Sequence, residues 1–309
     1  MWTTWLQRLG ITLSISLLAA CGGGDDPDPN VVEVAQRDAN FSILAEAVVA
    51  ADLAGTLSGP GPFTVFAPTD AAFAALLTEL GVTKAQLLAD KPLLRAVLQY
   101  HVLGAKVERA AVPAGKPITP LEGGIFKIDS VGGNLVITDG RNRTSRITAT
   151  DVAATNGVVH AIDKVLLPAN KTIVETAQAL PDFSILVEAV VAADLVGTLN
   201  GTGPFTVFAP TNAAFAKLLT ELGLTKAQLL ADKPLLTKVL TYHVVPARVL
   251  KADVPVGPAI TTVQGNTFTV DATLAITDRN ARKAAITATD VLTRNGVIHV
   301  IDTVILPTL

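Results

Sequence analysis

An eleven-residue segment occurs twice in this chain, and that repeat limits what the chain can fold into. Phe63-Thr64-Val65-Phe66-Ala67-Pro68-Thr69-Asp70-Ala71-Ala72-Phe73 returns as Phe205-Thr206-Val207-Phe208-Ala209-Pro210-Thr211-Asn212-Ala213-Ala214-Phe215. Each copy reads as a short apolar strand, a proline that stops it, and a helix start. Thr69 or Asp70 is placed to cap that helix by accepting from its free N–H groups. Phe73, Leu76, Leu77 and Leu80 then fall at i, i+3, i+4 and i+7, one apolar face. The one change between the copies is Asp70 to Asn212. Both residues cap helices, whereas a catalytic or metal-binding carboxylate would not ordinarily be exchanged.

A second segment also repeats. Asn156-Gly157-Val158-Val159-His160-Ala161-Ile162-Asp163 returns as Asn295-Gly296-Val297-Ile298-His299-Val300-Ile301-Asp302. Between the two lie Tyr100-His101 and Tyr242-His243. Three ordered motifs, each present twice, resemble the fasciclin-like (FAS1) domain family in two tandem copies. The resemblance covers about residues 31–309. It implies an α+β fold, with each domain a compact, wedge-like β-sandwich with packed helices. The domains are expected at 31–168 and 169–309, close together because the join Pro168-Ala169-Asn170-Lys171 is short.

The pattern within each repeat agrees. Helical stretches come first: Val31 to Ala35, Phe41 to Leu53, a capping box at Thr83 and Gln86, and a helix from Pro92 to about Tyr100. Period-two, β-branched segments follow from about residue 107. Phe126–Asp129 and Leu135–Thr138 read as a hairpin, which the second copy shortens between Phe268–Asp271 and Leu274–Thr277. Helices early and strands late point to α+β.

Residues 1–20 read as a bacterial lipoprotein signal peptide, with Arg8 and a short apolar run from Leu9 to Ala20. Twelve residues are too few for a membrane span, which needs about 20. Leu18-Ala19-Ala20-Cys21 resembles a lipobox, making Cys21 the lipidation site. Residues 21–30, rich in Gly, Asp and Pro, read as a flexible tether. The protein is therefore expected to be exported and lipid-anchored to the cell envelope, at the outer membrane on its periplasmic or surface face. Gly22 rather than Asp after the cysteine supports that sorting. The two domains are near neutral: 12 basic against 13 acidic residues in 31–168, and 11 against 11 in 171–309. No electrostatic pull on nucleic acid is expected.

The repeat also serves as an internal control on chemistry. All ten Phe, both Tyr and all four His fall at matched positions, and the two Trp lie in the leader. Aromatics shared this way behave as scaffold. The only Cys is the lipidation candidate, and no matched Ser–His–Asp arrangement, phosphate loop or metal-ligand spacing is present. His101 and His160 with Asp151 are the one set that could converge in space on a metal or acid/base site. Histidines hydrogen-bonded between segments are the simpler reading. No cofactor and no enzymatic activity are expected; a hydrolase or metal-dependent enzyme ranks third.

The resemblance implies adhesive activity associated with the Tyr-His region and with an Asp-Ile pair before the second motif. Tyr100, His101, Tyr242 and His243 match the former. Asp151-Val152 and Asp290-Val291 occupy the latter, with Val for Ile. A second candidate surface is cationic: Arg141, Arg143 and Arg146, with Arg279, Arg282 and Lys283 at the comparable place, suited to anionic polysaccharide or phosphate. The leading expectation is a surface-tethered, non-enzymatic module for cell adhesion or for binding a cell-surface or matrix protein or polysaccharide. The alternative is a carrier of an apolar small molecule such as a carotenoid, held in a groove between helices and sandwich.

Overall fold

The computed structural model describes residues 28–308. The expected signal peptide at 1–20, Cys21 and most of the expected tether at 21–30 lie outside the described residues. Among the described residues no helix is long and apolar enough to cross a membrane.

In the first repeat the helices are α1 (Val31–Arg37), α2 (Ser42–Ala50), α3 (Ala54–Leu57), α4 (Asp70–Leu80), α5 (Lys84–Ala89) and α6 (Lys91–Tyr100). The strands are β1 (Phe63–Pro68), β2 (Val102–Leu103), β3 (Pro117–Ile118), β4 (Phe126–Val131), β5 (Asn134–Thr138), β6 (Thr144–Ala154) and β7 (Gly157–Ile162). The second repeat follows the same order. Its helices are α7 (Ile173–Gln178), α8 (Ser184–Ala192), α9 (Val196–Leu199), α10 (Asn212–Leu222), α11 (Lys226–Ala231) and α12 (Lys233–Tyr242). Its strands are β8 (Phe205–Pro210), β9 (Val244–Val245), β10 (Ala259–Thr261), β11 (Thr267–Val270), β12 (Ala275–Thr277), β13 (Lys283–Thr293) and β14 (Gly296–Ile301).

The strands of each repeat form one seven-stranded sheet, ordered β2-β1-β7-β6-β5-β4-β3 in the first. The expected sandwich is this single sheet curled over on itself. The bend is in β6, whose pairing with β7 shifts register between Ile147 and Ala149 and again between Ala149 and Val152. An extra residue on one strand sharpens twist and turns the strand. The curl encloses Phe66, Tyr100, Leu103, Phe126, Ile128, Ile137 and Ile162, all buried. The opposite face of β1 and β7 carries Val65, Ala67, Val159 and Ala161, and α1, α2, α4 and α6 close over it with Val32, Leu44, Phe73, Leu94 and Leu98. Each repeat is α+β, as its pattern indicates.

The two repeated motifs are adjacent in space. β1 and β7 pair in parallel, Phe63 opposite Gly157 through Pro68 opposite Ile162. A Cβ on Gly157 would stand 2.1 Å from the Phe63 carbonyl oxygen, so that site accepts only glycine. Thr69 is the α4 cap, its Oγ1 accepting from Ala72 N–H. Asp70 instead caps the neighbouring α2, accepting from Ser42 Oγ and Ile43 N–H. Asn212 repeats this with its amide, accepting from Ile185 N–H and donating to Ser184 Oγ. The Asp-to-Asn exchange thus preserves one structural job.

The repeats meet directly. Ile125 of the first packs with Leu250, Leu292 and Val297 of the second. Lys127 on β4 reaches Asp290 on β13, Nζ to Oδ2 at 2.8 Å. Asn142 donates through Nδ2 to the Leu292 carbonyl at 3.0 Å and accepts from Leu292 N–H at 2.7 Å.

Candidate functional site

The sheet bend positions the first candidate pair. Asp151 lies in the irregular part of β6 with φ of 61°, and Asp290 matches it on β13 with φ of 61°. That left-handed conformation suits Asp or Asn better than most residues. Asp151 Oδ1 accepts from Arg109 N–H at 2.8 Å, and Asp290 Oδ1 accepts from Lys251 N–H at 2.7 Å. Here the copies part. The Asp151 side chain is 41% exposed, and Val152 is 41% exposed beside it. The Asp290 side chain is 2% exposed, sealed under Lys127. Val291 is half-buried against the helical core of its own repeat.

Lys127 is held charged by this arrangement. Burial pulls its pKa down, but the hydrogen bonds and charges of Asp290 and of Asp129, 3.1 Å away, overcome that and raise it.

The other four candidates have no surface. Tyr100, His101, Tyr242 and His243 are between 0 and 1% exposed, which corrects the expectation that they meet a partner. Each Tyr plugs the curl and donates its hydroxyl to a backbone carbonyl, Tyr100 to Ile125 and Tyr242 to Thr267. Burial, the leading cause, pushes the Tyr242 hydroxyl up to about 12 and raises that of Tyr100 further.

All four histidines are committed to backbone. His101 Nδ1–H donates to Val97 O at 2.7 Å and Nε2 accepts from Leu166 N–H at 2.8 Å. His243 repeats the pattern with Val239 and Ile305. Only the neutral ring satisfies both partners, and burial lowers both pKa values to about 4. His160 Nε2–H donates to Val107 O at 2.9 Å, while Nδ1 accepts from Asp151 N–H at 3.1 Å. His299 does the same with Val249 and Asp290, and burial lowers its pKa. With both nitrogens of each ring occupied, His101 and His160 offer neither a metal ligand nor a proton relay. No cluster of three metal-ligating side chains occurs among the described residues.

The cationic candidates do not form one patch. Arg143 is turned inward, bonded to Asp139 at 3.1 Å, to Glu79 at 2.8 Å and to the Val165 carbonyl. Arg282 is likewise paired with Glu221 and lies 3.8 Å from Asp278. These two hold the β5–β6 and β12–β13 turns, which corrects their assignment as surface contacts. Arg146, Arg279 and Lys283 are exposed. Arg141 is half-buried at the junction of the two repeats.

The expected groove between helices and sheet is nearly closed. The apolar cavities there enclose about 20 Å³ in the first repeat and about 30 Å³ in the second, space for roughly one water. The larger apolar-walled opening is at the mouth of the first curl, about 340 Å³, bordered by Phe66, Leu103, Pro117, Ile118 and Ile128.

The Fasciclin domain family model matches residues 39–168 and 181–307. The chain belongs to the fasciclin domain family. Transforming growth factor-beta-induced protein ig-h3 of Sus scrofa is 31% identical over 252 residues, 81% of this chain and 35% of that protein. Protein sll1483 of Synechocystis is 48% identical over 139 residues, 44% of this chain and 73% of its own length. Cell surface glycolipoprotein MPB83 of Mycobacterium bovis is 40% identical over 114 residues, 37% of this chain and 48% of that protein. This fasciclin-domain chain thus spans about a third of the length of ig-h3. A solved FAS1 domain pair from the insect cell adhesion molecule Fasciclin I aligns over 90% of this chain and 95% of its own, at 21% identity and a TM-score of 0.43.

Proposed function

We propose that this fasciclin-domain pair is a surface-tethered, non-enzymatic adhesion or interaction module that engages its partner through the Asp151–Val152 face of the first repeat. The observation that carries this reading is the inequality of the two copies. Asp151 and Val152 stand side by side on the surface, a carboxylate next to an apolar residue on a rigid bend. The second copy of the pair is spent inside the molecule on Lys127. One chain therefore presents one such face. A relative named as a cell-surface glycolipoprotein supports the surface setting, as do the lipobox-like segment and tether.

Binding of the purified protein to immobilised matrix proteins and polysaccharides tests this. Asp151→Asn, combined with Val152→Ser, is expected to weaken binding at least tenfold with an unchanged melting temperature. Asp290→Asn is expected to lower melting temperature without that loss. Equal binding by the Asp151 variant ends the proposal. The anchor has its own test: Cys21→Ala should move the protein from the membrane to the soluble fraction.

The opening of about 340 Å³ in the first curl favours a second reading, a carrier of a small apolar molecule. An absorbance band above 300 nm with matching added mass, on protein from its natural host, would support it.

A further inference from the structure

The largest cleft among those described lies where the repeats join. It measures about 560 Å³ and is lined by Gly140, Arg141 and Asn142 of the β5–β6 turn, Asn170 and Lys171 of the connection, Thr176 of α7, Ala179 and Leu180 just after it, and Val291 and Leu292. No carboxylate lines it, while two cations do. Arg141 Nε is buried there and, like Arg248 Nε and Arg282 Nε elsewhere, has no partner among the described residues. A buried guanidinium N–H left unpaired is costly, and such groups call for an acceptor.

The repeats show that this is more than divergence around a joint. Where the first repeat has Gly140, the second has Arg279; a Cβ at 140 would stand 2.3 Å from Ala169 N, so glycine lets the connection run against the turn. Where the first has Arg141, the second has Asn280, which donates to the Leu306 and Pro307 carbonyls as a structural clip. Lys171 stands where the first repeat has Pro29. Leu180, 41% exposed, replaces Asp38, which in the first repeat accepts from Asn40 N–H. Four departures converge on one cleft. Together they remove an acid, supply an apolar wall, and place cations at 141 and 171, while Gly140 and the neighbouring Ala179 stand where the other repeat has Arg279 and Arg37. The neighbouring Glu175 does not fill the need, since its Oε2 accepts from Thr172 N–H at 2.7 Å.

We propose that this junction cleft binds a small amphipathic organic anion, its carboxylate, sulfate or phosphate between Arg141 and Lys171 and its apolar body against Ala179, Leu180 and Val291. Clefts of 300–1,000 Å³ at domain boundaries are where such ligands are usually held, and a guanidinium suits a planar or tetrahedral oxyanion. The site is separate from the Asp151 face, so either can fail without the other.

The test is titration of the purified protein with 8-anilinonaphthalene-1-sulfonate, whose sulfonate and aromatic body match the two halves of the cleft. One saturable site per chain is expected, displaced by millimolar inorganic phosphate. Arg141→Asn, the residue the second repeat carries, should weaken it at least tenfold, and Lys171→Gln severalfold. Arg146→Gln should leave it unchanged. Arg141→Gln replaces the first variant if that one fails to fold. Unaltered dye affinity in the folded Arg141 variant, absence of saturation, or indifference to phosphate would each overturn the proposal.

Discussion

Lys127 and Asp290 close the two repeats onto each other, 2.8 Å apart and 163 residues apart in the chain. The Lys127 side chain is 13% exposed and that of Asp290 is 2% exposed. Lys127→Ala leaves a buried carboxylate without its cation. The expected cost is on the order of 3 kcal/mol, read as an earlier unfolding transition by calorimetry. Adding Asp290→Asn should recover part of it, because the uncompensated charge is then gone.

The same pair sets an alkaline limit. The Lys127 pKa is raised in the folded protein. Its contribution is therefore complete below the unfolded lysine value near 10.5 and is lost as pH climbs through the higher folded value. Chemical denaturation between pH 9 and 12 should show stability falling in that window, and falling less in Lys127→Ala.

Acid acts on the opposite side through His101 and His243. Both are lowered from 6.5 to about 4 by burial. The unfolded chain takes up protons first, so stability present above about pH 6.5 is lost as pH falls toward 4. At about 1.4 kcal/mol per unit, each histidine gives up roughly 3 kcal/mol. Urea midpoints at pH 7.5, 5.5 and 4.0 should decline accordingly. His101→Gln should be less stable at pH 7.5 and show a shallower decline.

Asp70 can be read against its own repeat. Because Asn212 does the same work, Asp70→Asn should change stability by less than about 0.5 kcal/mol. Asp70→Ala, which strips the α2 cap, should cost about 1 kcal/mol. Thermal melts of the two variants separate these outcomes.

Gly157→Ala tests the parallel pairing of β1 with β7. The new Cβ would meet the Phe63 carbonyl, a backbone atom that cannot step aside. A loss of roughly 3 kcal/mol is expected, visible in the denaturation midpoint. Gly81→Ala, where a Cβ meets nothing but φ is +65°, should cost about 1 kcal/mol.

Much of the fold was legible because its signals are local. The strand–Pro–cap of Phe63 to Phe73, the Thr83–Gln86 capping box and the late β-branched hairpin act within a few residues, and each is found where its spacing indicates. The site was legible only in part. Tyr100 and His101 read the same whether they face solvent or plug a core, since burial depends on the closure of the sheet around them. The division of labour between Asp151 and Asp290 rests on contacts across 150 residues or more, beyond any spacing rule. A signal for it did exist in the positions where the repeats disagree, such as Lys127 against Thr269 and Leu292 against Ala153.

Those disagreements bear on how many domains can be strung together. The joint is heterologous: one repeat offers Ile125, Lys127 and Asn142, the other receives them at Leu250, Leu292 and Asp290. A heterologous contact that both units carried could be repeated indefinitely into a filament. Here the outer ends are blunted. The second repeat has Thr267, Thr269 and Ala281 in place of the three offered residues, and the first has Glu108 and Ala153 in place of the two leucines. Of the receiving set the first repeat keeps only the aspartate, as Asp151, so neither repeat carries a second complete half of this joint.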